Sequence, residues 1–214
     1  MHPGEPYVTN DSFLNGHVVY SVYPFTGNDY VSIFKDIKQG KLDKELYDEW
    51  LDYTAEYIWS EILNSNKPDI IAVPQSSSSL VEDLAKQISR MAYIDYLPHA
   101  FRKNPVTKIT ITVPQGIKIP QSTMDAMNKI LTRIHQEGRF EAKSVPKRML
   151  KFFRNIYTND DEYKDELRGK KVAVLDDSMS SKATMANIFD VCDYVYNVSD
   201  CCGITVFKKV PSKK

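Results

Sequence analysis

Asp176 and Asp177 stand directly after the apolar run Val172-Ala173-Val174-Leu175, and Ser178, Met179, Ser180, Ser181, Lys182, Ala183 and Thr184 follow them. Two acids at a strand end, a stretch of small and hydroxylated residues, and then a helix start divide one site into two halves. Hydroxyls and free backbone N–H groups at a helix N-terminus make a cradle for an anion. The carboxylates beside that cradle would repel an anion, so they suit sugar hydroxyls or a divalent metal. A phosphate held on one side and a diol on the other outline a ribose 5-phosphate. Taken alone, the acid pair also reads as a turn with an N-cap.

A second loop has related chemistry. Asp69 to Val73 is a continuous apolar run after its first residue, and Pro74-Gln75-Ser76-Ser77-Ser78-Ser79 follows it. Successive serines offer hydroxyls and N–H groups that match a pyrophosphate. The plain alternative is a solvated serine turn that supplies Ser79 as a helix N-cap, with Glu82 three residues on completing a capping box.

The stretch VAVLDDSMSSKAT resembles the phosphoribosyl pyrophosphate (PRPP) motif of the type I phosphoribosyltransferases. The resemblance implies that Asp176 and Asp177 hold the ribose 2- and 3-hydroxyls and help hold Mg²⁺. It implies that residues 178–184 wrap the 5-phosphate, with Ser180, Ser181 and Thr184 as its hydroxyl ligands. It further implies that Gln75, Ser76, Ser77 and Ser78 bind the pyrophosphate. One departure stands out, because the family usually has glycine where this chain has Lys182. A non-glycine residue forced to positive φ costs about 1–2 kcal/mol. A lysine there could lend charge to a phosphate or block the pocket.

Cations are expected around a leaving pyrophosphate. Residues 139–154 hold six basic side chains against the single acid Glu141. Arg148 and Arg154 lead that segment, since the guanidinium fork suits phosphate. Arg102 and Lys103 are further candidates. The same basic patch could meet an RNA backbone. Residues 159–166 carry five acids, Asp160, Asp161, Glu162, Asp165 and Glu166, and read as a solvated turn. The tyrosines and Phe25 near the N-terminus suit core packing or a hood over a flat base.

The elements that must position these groups follow from apolar spacing. Residues 17–24 read as a strand. Residues 43–64 read as a helix, with Leu46, Trp50, Tyr53 and Tyr57 on one side. Residues 69–73 read as a strand buried on both faces. Residues 79–92 form a helix, 93–97 a strand, 108–113 a strand or hairpin arm, and 122–136 a helix. A short basic helix is expected over 145–156, a second buried strand over 172–175, a helix over 181–196 and a last strand over 204–207. This alternation predicts an α/β fold with a parallel sheet flanked by helices. The resemblance adds an N-terminal hood or extension over 1–65 and a catalytic core over 66–214. Ligands of such sheets bind at the C-terminal strand ends, where both loops lie.

Composition bounds the rest. The 214 residues are 42 % hydrophobic and 26 % charged, with 28 basic residues balancing 28 acidic ones. A neutral chain is no general magnet for nucleic acid or membranes. No run is long enough for a transmembrane helix, and no secretory pattern opens the chain. Cys192, Cys201 and Cys202 make a poor disulfide framework, so reduced thiols and a cytoplasmic setting are expected. His2, His17, His99 and His135 are scattered, which argues against zinc.

The reading predicts a PRPP- and Mg²⁺-dependent transferase. It moves ribose 5-phosphate to a nucleobase or a related nitrogen nucleophile and releases pyrophosphate; a homodimer is compatible with it. A regulator of the same fold that senses PRPP or a nucleotide while binding nucleic acid or protein is the alternative. A metal-dependent phosphohydrolase using the same acids is a third. The acceptor base is not written in the sequence.

Overall fold

A computed structural model describes residues 3–26, 29–75, 79–159, 161–179 and 182–210. The two apolar runs are neighbouring strands, β3 (Ile70–Pro74) and β8 (Lys171–Ser178), paired in parallel with Ile71 opposite Ala173. All five residues of β3 are buried. That burial explains why the run is continuously apolar rather than alternating.

The other strands are β1 (Tyr7–Asn10), β2 (Val18–Phe25), β4 (Asp95–Lys103), β5 (Thr110–Ile111), β6 (Phe153–Arg154), β7 (Tyr157–Asn159) and β9 (Asp200–Lys209). The helices are α1 (Asp29–Lys38), α2 (Lys44–Tyr57), α3 (Leu80–Ala92), α4 (Gln121–Glu137), α5 (Lys147–Leu150), α6 (Lys164–Leu167) and α7 (Ala183–Val191). Wide π-type turns extend α2 over Ile58–Leu63 and α7 over Cys192–Tyr196.

Among the described residues, seven strands form one sheet in the order β1-β2-β9-β8-β3-β4-β7. The inner five are parallel, and the edge strands β1 and β7 run antiparallel. β5 and β6 make a separate two-stranded ribbon. From β3 the chain passes through α3 to β4 on one side. From β8 it passes through α7 to β9 on the other. The order therefore reverses between β3 and β8, and a crevice opens at their C-terminal ends.

Each face of the sheet has its own core. One joins Ile71, Val73, Ala173 and Leu175 to α2 and α3 through Ile58, Leu80, Leu84 and Ile88. The other joins Ile70, Ala72, Val172 and Val174 to α7 through Met185, Ile188 and Phe189. A third cluster packs α4, α5, β5 and β6 around Met127, Ile134, Met149 and Phe153. Gly203 lets α7 lie close on the sheet. A Cβ there would stand 3.0 Å from Val19 Cγ2, 3.1 Å from Met185 Sδ and 3.2 Å from Phe189 Cζ.

Several expectations are corrected. The basic helix over 145–156 is helical only across α5, after which Phe153–Arg154 pair as a strand with Thr110–Ile111. Of residues 108–113, only those two join the ribbon. Ser79 caps α3 by position, but its side chain makes no capping bond, so no capping box forms. Glu82 instead faces Lys86 at 3.6 Å and His99 at 3.3 Å. The N-terminal segment contributes to the same sheet, β2 pairing with β9 from Val18–Cys202 to Phe25–Lys209. The short strand β7 and helix α6 fall where a solvated turn was expected. No helix among the described residues is long and apolar enough to cross a membrane.

Candidate functional site

β8 carries the acid pair at its C-terminal end, with Asp176 opposite Thr205 and Ser178 opposite Phe207 of β9. Side chains alternate along a strand, so Asp177 leaves on the face of Ala173 and Leu175. Asp176 leaves on the face of Val172 and Val174. The two acids therefore meet different partners. Asp177 is buried and ion-paired with Lys38 at the end of α1, while Ser178 Oγ donates to its Oδ1 at 2.7 Å. Asp176 accepts from the Asp177 N–H at 2.8 Å.

Asp176 is strongly perturbed. Burial, and next the charge of Asp177, raise its pKa to about 7, against the opposing pull of Lys38. Tyr157 of β7 faces it. Burial drives the Tyr157 phenol up first and the Asp176 charge adds to this, while Thr184 supplies a hydrogen bond to its side chain. A carboxyl poised near neutrality and a phenol bonded to the first turn of α7 thus border the start of that helix. Beside Asp176, Ser21 and Thr205 pair their hydroxyls at 2.8 Å in full burial.

Lys182 adopts φ +45°, the left-handed region, at the N-cap of α7. This is the conformation that a glycine would take freely. Its ammonium pairs with Asp11, which also accepts from the Phe13 N–H at 2.9 Å as cap of a single turn over 12–14. Met179 is buried, and its N–H donates to the Phe207 carbonyl at 3.1 Å. Ala183 is buried at the junction of α7 with the third cluster.

The remaining candidates divide into three groups. Gln75 is exposed at the end of β3, its N–H donating to the Phe101 carbonyl at 2.9 Å. Arg102 and Lys103 are exposed at the C-terminal end of β4, opposite Thr158 and Tyr157. These three share the sheet edge that carries Asp176 and Asp177. Arg148 is exposed on α5, within the segment of the third cluster. Ser76, Ser77, Ser78, Ser180 and Ser181 lie outside the described residues.

Arg154 is not a free phosphate-binding cation, which corrects the sequence reading. It is only 7 % exposed, with Nε 3.3 Å from Asp190 Oδ2 and Nη2 donating weakly to the Phe13 carbonyl at 3.4 Å. It lines a cleft of about 510 Å³ with Asn15, Asn104, Asn155, Asp190 and Tyr194. That cleft follows the flank and C-terminal half of α7, two helical turns from the loop.

Sequence reasoning missed Asp11, Lys38, Tyr157 and Lys208. Each is single and distant in the chain, with no motif around it. Only the β7 pairing and the docking of α1 bring Tyr157 and Lys38 to the acid pair.

For a divalent ion the donors are few. Among the described residues no group of three or more His, Cys, Asp or Glu side chains could hold a metal. A pair of carboxylates completed by phosphate oxygens and water is the donor set that Mg²⁺ accepts.

No family model and no curated protein matches the chain. Among solved structures it is similar to an adenine phosphoribosyltransferase from Leishmania donovani. The TM-score is 0.40 and the identity 11 %, over 86 % of this chain and 83 % of that one. A likeness that loose decides neither fold nor activity.

Proposed function

We propose that this chain is a phosphoribosyltransferase that uses PRPP and releases pyrophosphate. The observation that carries the reading is the position of Asp176 and Asp177. They end β8 at the point where strand order reverses, immediately before the loop that starts α7. The motif read in the sequence therefore occupies the one edge where a parallel sheet presents strand-to-helix loops to a ligand.

In this reading the acid pair accepts hydrogen bonds from the ribose hydroxyls. Ser178, Met179, Ser180, Ser181, Lys182, Ala183 and Thr184 surround the 5-phosphate. Gln75 with Ser76, Ser77 and Ser78 meets the diphosphate, and Arg102, Lys103 and Arg148 add positive charge. A ring nitrogen of the base attacks C1, the C1–O bond to pyrophosphate breaks, and the nitrogen sheds its proton to solvent or a nearby carboxylate. Asp176 and Asp177 would hold Mg²⁺ on the protein side, where it would offset the charge of the diphosphate. Positioning and electrostatic stabilisation do the work.

Incubation with PRPP, Mg²⁺ and a panel of purine and pyrimidine bases, following pyrophosphate, tests this directly. Release with one base and not the others is the expected result. No release with any base, together with no calorimetric PRPP binding, overturns it.

The Lys38–Asp177 ion pair favours a second reading. A lysine already seated on one acid suits a chain that binds PRPP or a nucleotide as a signal and leaves it intact. PRPP binding without turnover, coupled to salt-sensitive binding of nucleic acid or protein, would select that regulator.

A further inference from the structure

Around the N-terminus of α7, three ammonium groups gather among the described residues. Lys182 sits in its left-handed conformation with its side chain 35 % exposed, paired with an Asp11 side chain that is 27 % exposed. Lys208 of β9 is half-buried beside it. Its ammonium donates to Thr9 Oγ1 and stands 4.3 Å from the centre of the Tyr7 ring. Burial, and after it the charge of Lys182, push the Lys208 ammonium down to about 8. Lys151, 4.0 Å from the centre of the Phe13 ring, adds its field at Asp11. Asp11 thus stands between the charges of Lys182 and Lys151, and Lys208 has no carboxylate of its own among the described residues.

Two features of this cluster are unfavourable unless something uses them. A non-glycine residue at positive φ raises the free energy by about 1–2 kcal/mol. Two lysines brought close in a partly desolvated place repel each other. The repulsion would be relieved by an anion carrying more charge than one carboxylate, and that gain would offset the backbone cost.

We propose that Asp11 is a stand-in for the substrate phosphate. In the resting chain it neutralises Lys182, and a phosphomonoester displaces it to be held by Lys182 and Lys208. This rests on the ribose-phosphate reading above and names the side chains that make it selective. A dianionic phosphate outcompetes Asp11, and a neutral sugar does not. Lysine at 182 is then retained for its charge, in a place where glycine would be easier for the backbone.

The substitutions separate this role from a structural one. Asn at position 11 is still a good N-cap, so Asp11→Asn removes the charge and keeps the turn. Lys182→Gly relieves the backbone, so it is expected to raise the melting temperature while weakening phosphate binding. A merely structural lysine would move both the same way.

Calorimetric titration with ribose 5-phosphate, with ribose as control, is the experiment. Asp11→Asn is expected to bind ribose 5-phosphate about tenfold more tightly than the unaltered chain. Lys182→Gly is expected to bind it about tenfold more weakly, with Lys208→Met a smaller loss in the same direction. Equal or weaker binding by Asp11→Asn overturns the inference, as does unchanged binding by Lys182→Gly. So does the absence of ribose 5-phosphate binding by all variants. Tighter binding by Asp11→Asn without pyrophosphate release from PRPP keeps the inference and removes the transferase. Pyrophosphate release with Asp11→Asn affinity unchanged does the reverse.

Discussion

The two ends of α7 are built on opposite electrostatic plans. At its C-terminal end each charge has a counterpart. Arg154 meets Asp190, which accepts from Asn15 Nδ2 at 2.8 Å. His17 Nε2 lies 2.8 Å from Asp193, and its Nδ1 lies 2.9 Å from the Cys201 carbonyl. At its N-terminal end ion pairs also form, Asp177 with Lys38 and Lys182 with Asp11, but like charges are gathered beside them. Asp176 sits beside Asp177, Lys182 beside Lys208, and a non-glycine residue takes a left-handed turn. Paired charges hold a fold together. Crowded, desolvated charges of one sign are a cost that a ligand is needed to justify, which is why perturbed groups gather at functional sites.

The contrast predicts that substitutions at the two ends differ in kind. The largest effect is expected for Asp176→Asn combined with Asp177→Asn. Each charged hydrogen bond to the diol contributes about 1.5–3 kcal/mol, so calorimetry should show PRPP binding lost. The fold should survive, because the Asp176–Asp177 repulsion is removed and the Lys38 side chain, 30 % exposed, can turn to water. If PRPP affinity were unchanged, the upper end would be no more functional than the lower.

Arg154→Met should act in the opposite sense. Leaving Asp190, 30 % exposed and still bonded to Asn15, without its cation should reduce unfolding free energy by roughly 1–3 kcal/mol, read by denaturant titration. The stability of ligand contacts at the acid pair should be unaffected at temperatures where the variant is folded.

A pH series sharpens the comparison further. Asp176 has its pKa raised to about 7 in the folded chain, so folding favours its neutral form. Its contribution is fully present below the unfolded carboxylate value and is lost as pH rises through 7. Melting temperature measured from pH 4 to 8 should therefore fall relative to Asp176→Asn. The loss should reach roughly a few kcal/mol, and parallel curves would contradict it. Gly203→Val should be milder than these charge effects. It overpacks the gap between β9 and α7 by about 1–3 kcal/mol, lowering the melting temperature.

The smallest change in ionisation, as distinct from stability, is expected for Lys38→Met. Lys38 lowers the pKa of Asp176, so its removal should move the pH at which Asp176 ionises upward. Carboxyl chemical shifts followed by NMR would read this.

How far the chain was legible differs from place to place. The apolar runs at 70–74 and 172–175 announced the two central strands, because a strand buried on both faces has no polar alternation to hide it. The loop after each strand could be located for the same reason. The stretch 145–156 misled, since its basic and apolar residues fit a helix locally. Pairing of Phe153–Arg154 with Thr110–Ile111, more than forty residues away, decided otherwise. Ser79 and Glu82 matched a capping pattern, yet tertiary partners at Lys86 and His99 claimed Glu82.

By itself the sequence determined the parallel α/β class, the acid pair at the end of β8, and the place where a helix start could hold an anion. These depend on hydrophobic period and on residues that are neighbours in the chain. Tertiary structure alone decided that Asp176 and Asp177 face different partners and that Arg154 belongs to Asp190. It alone brought Lys38, Tyr157, Lys208 and Asp11 to the same edge. Charge interactions act through distances of a few ångströms, and those distances are set by strand order and helix docking, which no local pattern encodes.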